Sequence, residues 1–141
     1  MDSKPAISIE LRSLIEKRME HTLKAIEDTL QLLLENHEIR FEDMKGTIQG
    51  LEKSFTQLSQ KWNLEILCAL FLRSTIGFNE LKKILGINSR TLSDKLKILK
   101  QYGYIERVIE QGPPLRVTYS LTNRGRNIVL LALPLLYYSS G

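Results

Sequence analysis

Between Ser89 and Gln101 the chain gathers side chains suited to reading a nucleic acid. At helical spacing Arg90, Asp94 and Lys97 share one face, with Ser93 and Lys95 on its flanks. A guanidinium such as that of Arg90 can grip a guanine edge through two hydrogen bonds. Thr91 and Ser93 can meet bases or phosphates. Asp94 could accept from cytosine N4, but its better role is to orient Arg90, four residues earlier. Lys95 and Lys97 are candidates for phosphate contacts, which fix register on a duplex without reading its sequence. On the opposite face Leu92, Leu96 and Leu99 recur at steps of four and three, the pattern of a buried back.

Such a helix must be held out from a core, and the residues before it supply the support. Phe78, Leu81, Ile84 and Leu85 predict a short helix with Asn79 as its cap. Gly86 ends it, because glycine has no Cβ to clash in the left-handed conformation. Ile87 packs back as a plug, and Asn88 caps the second helix, which Ser89 begins. Lys82 and Lys83 on the first helix could reach phosphates. Asn79 and Asn88 sit at helix N-termini, where backbone amides suit a phosphate oxygen. This is a helix-turn-helix pattern. By itself it fits a DNA reader and ordinary helix packing equally well.

The residues after Gly103 shift the balance. From Ile105 the period drops to two: Ile105, Arg107 and Ile109 alternate with Glu106, Val108 and Glu110. Gln111-Gly112-Pro113-Pro114 cannot continue a strand, since proline lacks the amide donor. Leu115, Val117, Tyr119 and Leu121 then alternate with polar residues. This predicts a two-stranded hairpin with one buried and one polar face. Arg107 and Arg116 take positions suited to the minor groove or the phosphate backbone. The predicted fold class is mainly α with a small β-hairpin wing, a winged helix-turn-helix with a long N-terminal helical extension.

The extension carries two seams. Ile15, Met19, Leu23, Ile26, Leu30 and Leu33 form the first, with Leu32 and Leu34 widening its end. Phe41, Met44, Ile48, Leu51, Phe55 and Leu58 form the second. We favour two helices with a joint near His37, after a leader at Met1–Ser8. A seam of this length needs a partner, and a second copy of the chain suits it better than its own domain. Lys61–Arg73 predicts a helix with Trp62, Ile66, Leu67 and Leu70 in the core, and Ser74–Gly77 a turn. Thr122 or Asn123 caps a last helix that Pro134 ends or kinks. Its apolar side chains are too many for one face, which suggests a subunit contact. The expected organisation is 1–60 for dimerisation, 61–123 for DNA binding and 124–141 for a further dimer contact.

The chain has 141 residues, is 43% hydrophobic and carries a formal net charge of +4. The mild basicity is compatible with a phosphate-rich partner without being diagnostic. One cysteine, Cys68, excludes an intramolecular disulfide framework and a CxxC metal site. It lies among core leucines and reads as a small buried apolar group. His21 and His37 lack ligands at metal spacing. No glycine-rich phosphate loop follows a strand and no serine sits in a nucleophile elbow, so an enzyme is not expected, and no cofactor or metal with it. No signal peptide is expected, and no stretch reaches the roughly 20 apolar residues that span a bilayer. A cytoplasmic, nucleoid-associated protein is the expectation.

Lys61-Trp62, Leu64-Glu65-Ile66-Leu67, Phe78-Asn79-Glu80-Leu81 and the run from Ile87-Asn88 to Leu96-Lys97 resemble the HxlR-type winged-helix transcriptional regulators. Tyr102-Gly103-Tyr104-Ile105-Glu106-Arg107 extends the match. So does the stretch from Pro113-Pro114 through Tyr119-Ser120-Leu121-Thr122 to Gly125. The resemblance covers about Lys61 to Leu136. It implies a dimeric regulator that binds operator DNA, usually a palindrome. The chain departs from the pattern at two places. Ser59-Gln60 stands where such proteins have two glycines, and no cysteine precedes Lys61, so the family's N-terminal reactive cysteine has no counterpart before Lys61. A long helical segment replaces the short N-terminal arm.

The function these readings favour is a homodimeric, sequence-specific transcriptional regulator, most simply a repressor, with double-stranded DNA as partner. A small apolar effector could occupy a cavity between the N-terminal helices and the winged helix. Two alternatives stand: a protein-interaction scaffold built on a winged helix, and a weakly specific architectural DNA-binding protein. The modest charge argues against the second, since non-specific binding is carried by phosphate neutralisation.

Overall fold

The computed structural model describes residues 9–36 and 39–139. The expected leader at Met1–Ser8 and the joint residue His37 lie outside them. The elements in order are α1 (Ile9–Asn36), α2 (Phe41–Ser59), α3 (Asn63–Arg73), β1 (Thr75–Gly77), α4 (Phe78–Leu85), α5 (Ser89–Gln101), β2 (Ile105–Glu110), β3 (Arg116–Leu121) and α6 (Asn123–Ser139). The N-terminal stretch is thus two helices. The chain divides into two compact units, one ending at Gln49 and the other beginning at Gly50, with the boundary inside α2.

In the first unit the seam of α1 is only partly covered: Ile15 and Met19 are half-buried. Leu23, Ile26, Leu30 and Leu33 remain 45%, 47%, 53% and 48% exposed. Lys24 and Asp28 pair along the polar side at 3.9 Å, an exposed contact worth at most about 1 kcal/mol. At the start of α2 the Asp43 carboxylate accepts the Arg40 amide at 3.1 Å, occupying a donor the helix end would otherwise leave open.

The second unit holds the core. Ile66, Leu67 and Leu70 of α3 meet Leu81 of α4, Leu92, Leu96 and Leu99 of α5, and Val129 of α6, with Ile76, Ile87, Tyr104 and Ile105 around them, all buried. Each such side chain contributes roughly 1.5–3 kcal/mol relative to exposure. Trp62, expected in this core, is only half-buried. It stands before α3 in a left-handed conformation (φ 81°, ψ −22°), so the helix starts at Asn63 rather than Lys61. Asn63 is the residue wholly buried there. Its Nδ2 donates to the Gln57 carbonyl at 2.7 Å.

Three expectations are corrected. The turn expected at Ser74–Gly77 contains a strand: β1 pairs antiparallel with β3, Ile76 opposite Tyr119, and the sheet order is β1-β3-β2. Three residues are too few to show a period, and the pairing partner lies some forty positions later. The hairpin is less covered than the alternation implied. In β2 only Ile105 is buried, and Val108 and Ile109 are exposed. Only the root lies over the core; the tip, with a cis Pro113–Pro114 bond, is exposed. Finally, α6 runs through Pro134 to Ser139. Proline deprives the Leu130 carbonyl of its usual donor, but Leu130 is exposed and water can replace it.

The junction of α5, β2 and α6 is tight. Thr122 is the cap: its hydroxyl donates to the Gly103 carbonyl at 2.7 Å and accepts from the Gly125 amide at 3.0 Å. Its own amide donates to the Tyr104 carbonyl at 3.1 Å. Gly125 lies so close to that carbonyl that any Cβ would collide with it.

Candidate nucleic-acid interface

The helix-turn-helix is built as its residue types dictate. Gly86 adopts the left-handed conformation (φ 65°, ψ 35°) and returns its amide to the Lys82 carbonyl at 2.9 Å, closing α4. Ile87 is buried. Asn88 is extended, and its Oδ1 accepts the Thr91 amide at 2.8 Å. That satisfies an orphan donor at the start of α5. Leu92, Leu96 and Leu99 are 0%, 3% and 0% exposed. They fix which side of α5 faces outward.

The outward strip is Arg90, Asp94 and Lys97, all exposed, and it continues one turn further to Gln101. Ser89 is exposed; Thr91 and Ser93 are half-buried beside the strip. Asp94 does not orient Arg90: among the described residues no ion pair or hydrogen bond joins them. An exposed pair gains too little to repay the side-chain entropy of holding it. Lys95 is half-buried on the flank and donates to Gln60 Oε1 at 3.3 Å. On α4, Lys83 is exposed and Lys82 half-buried. Asn79 is not the cap of α4. Phe78 already lies in the helix, and the cap position is Gly77, without a side-chain bond. The extended backbone of β1 runs directly into the helix and leaves no room for a separate capping turn.

In the wing, Arg107 pairs with Tyr119 and Arg116 with Glu110, with no bulge between. Side chains alternate across a strand, so the two arginines lie on opposite faces of the hairpin. Arg107 shares the face of Ile105, and Arg116 that of Glu110. The structure brings Arg90, Lys97 and Lys83 to exposed positions on the helix-turn-helix, but does not gather both wing arginines on one side.

A helix-turn-helix followed by this sheet can be compared with known proteins. The model of the HxlR-like helix-turn-helix family matches residues 57–137. The chain belongs to that family. YdzF of Bacillus subtilis, an uncharacterized HTH-type transcriptional regulator, is 36% identical over 78 residues, 55% of this chain and 72% of that protein. The regulator sll1512 of Synechocystis, described in the same words, is 37% identical over 90 residues, 62% of this chain and 67% of the relative. Among solved structures, the reduced form of the transcriptional regulator YodB from B. subtilis superposes with a TM-score of 0.60 at 25% identity. It covers 64% of this chain and 88% of YodB. This HxlR-like chain is therefore a helix-turn-helix transcriptional regulator, not an enzyme. α1 and most of α2 precede the matched stretch.

Other residues around the HxlR-like motif escape a reading of the sequence. Arg124 donates to the Tyr102 carbonyl at 3.1 Å and lies 5.2 Å from the Tyr104 ring centroid. Tyr102 stacks on Tyr104 at 6.0 Å, and its hydroxyl donates to Gln57 Oε1 at 3.4 Å. No local signal marks these contacts, which join residues up to 45 apart. Cys68 is half-buried, and desolvation pushes its thiol above the ordinary value of 9.0, away from the reactive thiolate. Among the described residues no cluster of His, Cys, Asp or Glu could hold a metal ion, and no helix is long and apolar enough to cross a membrane.

Proposed function

We propose that this regulator binds double-stranded DNA as a homodimer and represses transcription by occupying an operator. The observation that carries the reading is the exposed Arg90–Asp94–Lys97 strip on a helix whose opposite face is locked into the core. An α-helix of this kind fits the major groove, and its N-terminal residues reach base edges. Arg90 reads a guanine, and Asp94, free of Arg90, accepts from a cytosine. Lys82, Lys83 and Lys97 meet phosphates. Asn79, Asn88, Ser89, Thr91 and Ser93 add hydrogen bonds at the helix starts. Because Arg107 and Arg116 face opposite ways, one of them at a time contacts the duplex. With DNA as partner the protein works at the nucleoid.

Two features support a second copy. On α6, Leu131, Leu133 and Leu135 are 65%, 47% and 52% exposed. Beside them Leu51, Phe55 and Leu58 of α2 and Ile128, Leu131 and Leu135 of α6 line an apolar groove of about 250 Å³. In the first unit the exposed Leu23, Ile26, Leu30 and Leu33 of α1 add a separate apolar face. Residues 1–60 and 124–141 thus provide dimer contacts, and 61–123 the DNA-binding part. Two recognition helices would then meet half-sites about 34 Å apart. An apolar effector would find its place in the same groove, and its binding would raise the melting temperature.

The test is selection of bound duplexes from a random pool, with wild type beside Arg90→Ala. A two-fold symmetric site, with the variant losing preference at one position per half-site, is expected. That loss should amount to about 1–3 kcal/mol of discrimination. Retention of bulk DNA without enrichment would favour an architectural protein. No retention at low salt would favour a protein scaffold.

A further inference from the structure

The apolar stripe of α5 sets which side of the helix faces out, but a helix held along one stripe can still rock about it. What limits rocking must lie on a flank. On one flank, α5 faces the last turn of α2 and the residue after it across a cleft of about 410 Å³ lined by Gln57, Gln60, Ile98, Gln101 and Tyr102. Two side-chain hydrogen bonds tie this region together. Lys95 Nζ donates to Gln60 Oε1 at 3.3 Å, and the Tyr102 hydroxyl donates to Gln57 Oε1 at 3.4 Å.

Both ends of this bridge are anchored. The Gln57 carbonyl takes the bond from fully buried Asn63 at 2.7 Å. The Tyr102 carbonyl takes the bond from Arg124, and the ring stacks on Tyr104. Gln57 closes the last turn of α2 and Gln60 follows that helix, while Lys95 sits inside α5 and Tyr102 at its C-terminal cap. The two contacts therefore act in parallel, one near the middle of α5 and one at its C-terminal cap. Lys95 differs from Arg90 and Lys97: it is half-buried, and its ammonium already has an acceptor within the chain.

We propose that Gln57 and Gln60 are positioning residues that strut the recognition helix, and that Lys95 serves this strut rather than a DNA phosphate. The proposal rests on α5 reading DNA and adds what holds it at the correct tilt. It also ties the end of α2 and the residue after it to the helix that enters the groove and to its cap.

Salt dependence separates a positioning lysine from a phosphate-contacting one. Each phosphate contact contributes about 0.9 to the slope of log K against log salt. Affinity for the duplex selected by wild type is measured across a salt series for Lys95→Gln, Gln60→Ala and their double variant. Lys97→Gln is the reference for a lost phosphate contact. Lys95→Gln and Gln60→Ala should each weaken binding about twofold, the lower end for a hydrogen bond, since this one is long and exposed. The double variant should be no weaker than either single one, and all three should keep the wild-type slope. The second contact is tested in the same way with Gln57→Ala and Tyr102→Phe. A slope lowered by about 0.9 in Lys95→Gln, with Gln60→Ala binding like wild type, would overturn the proposal and return Lys95 to a phosphate. Additive losses, or no loss in either single variant, would overturn it as well. A wild-type protein that binds no duplex at low salt would instead remove the DNA-binding reading, and the strut with it.

Discussion

α1 and α5 carry the same kind of sequence pattern and end in opposite circumstances. Each sets leucines at steps of three and four against a charged face. In α5 those leucines are at most 3% exposed; in α1 Leu23, Ile26, Leu30 and Leu33 remain about half exposed. The difference lies in what surrounds each helix. α5 is enclosed by α3, α4 and the root of β2, so its apolar face is covered inside its own unit. Among the described residues of the first unit, Leu23, Ile26, Leu30 and Leu33 of α1 stay exposed. An amphipathic period specifies which face of a helix will be buried and is silent about by what.

Truncating one leucine on each helix tests this contrast most severely. Leu92→Ala should cost about 2–5 kcal/mol of folding stability, the range for a buried leucine whose cavity cannot fully collapse, measured by denaturant unfolding. A loss under about 1 kcal/mol, below that range, would mean that α5 is no better covered than α1. A smaller effect is expected at the start of the helix. Asn88→Ala removes the acceptor of the Thr91 amide and should cost about 1 kcal/mol. DNA affinity should fall further than stability, because the first turn of α5 carries Arg90. The smallest folding effect belongs to α1. Leu30→Ala should change stability by no more than about 0.5 kcal/mol in dilute monomer, while sedimentation shows weaker self-association. A Leu30→Ala protein that dimerises like wild type but unfolds readily would show that α1 is packed within one chain after all.

Most of the helix-turn-helix is legible in the residues. Gly86 and Asn88 act where their chemistry requires, Leu92, Leu96 and Leu99 are the buried stripe, and the bounds of α5 follow from these signals. Those features are local: a cap, a left-handed glycine and a 3.6-residue period all act within a few positions. Legibility fails where a contact depends on distant residues. β1 cannot be read from its own three residues, because its identity as a strand comes from β3. Asn79 has no capping role because β1 runs straight into α4. The wing alternates as a strand should, but how far its apolar face is covered depends on what stands over it, and the tip is exposed. The spacing of Arg90 and Asp94 makes their contact possible without making it favourable in water.

The class of this protein was written into its residues: the order of most of its elements, the helix that would face outward, and the groups on that helix able to meet bases and phosphates. These arise from backbone sterics and from the periodic placement of apolar side chains, which act at short range. It took the folded chain to establish that Lys95 turns to Gln60, that Tyr102 reaches Gln57, that Gly125 must lie against Tyr104, and that the wing arginines point apart. Each depends on groups brought together by folding of the whole winged helix, and their distances are set by the packing of elements that no short stretch of chain contains.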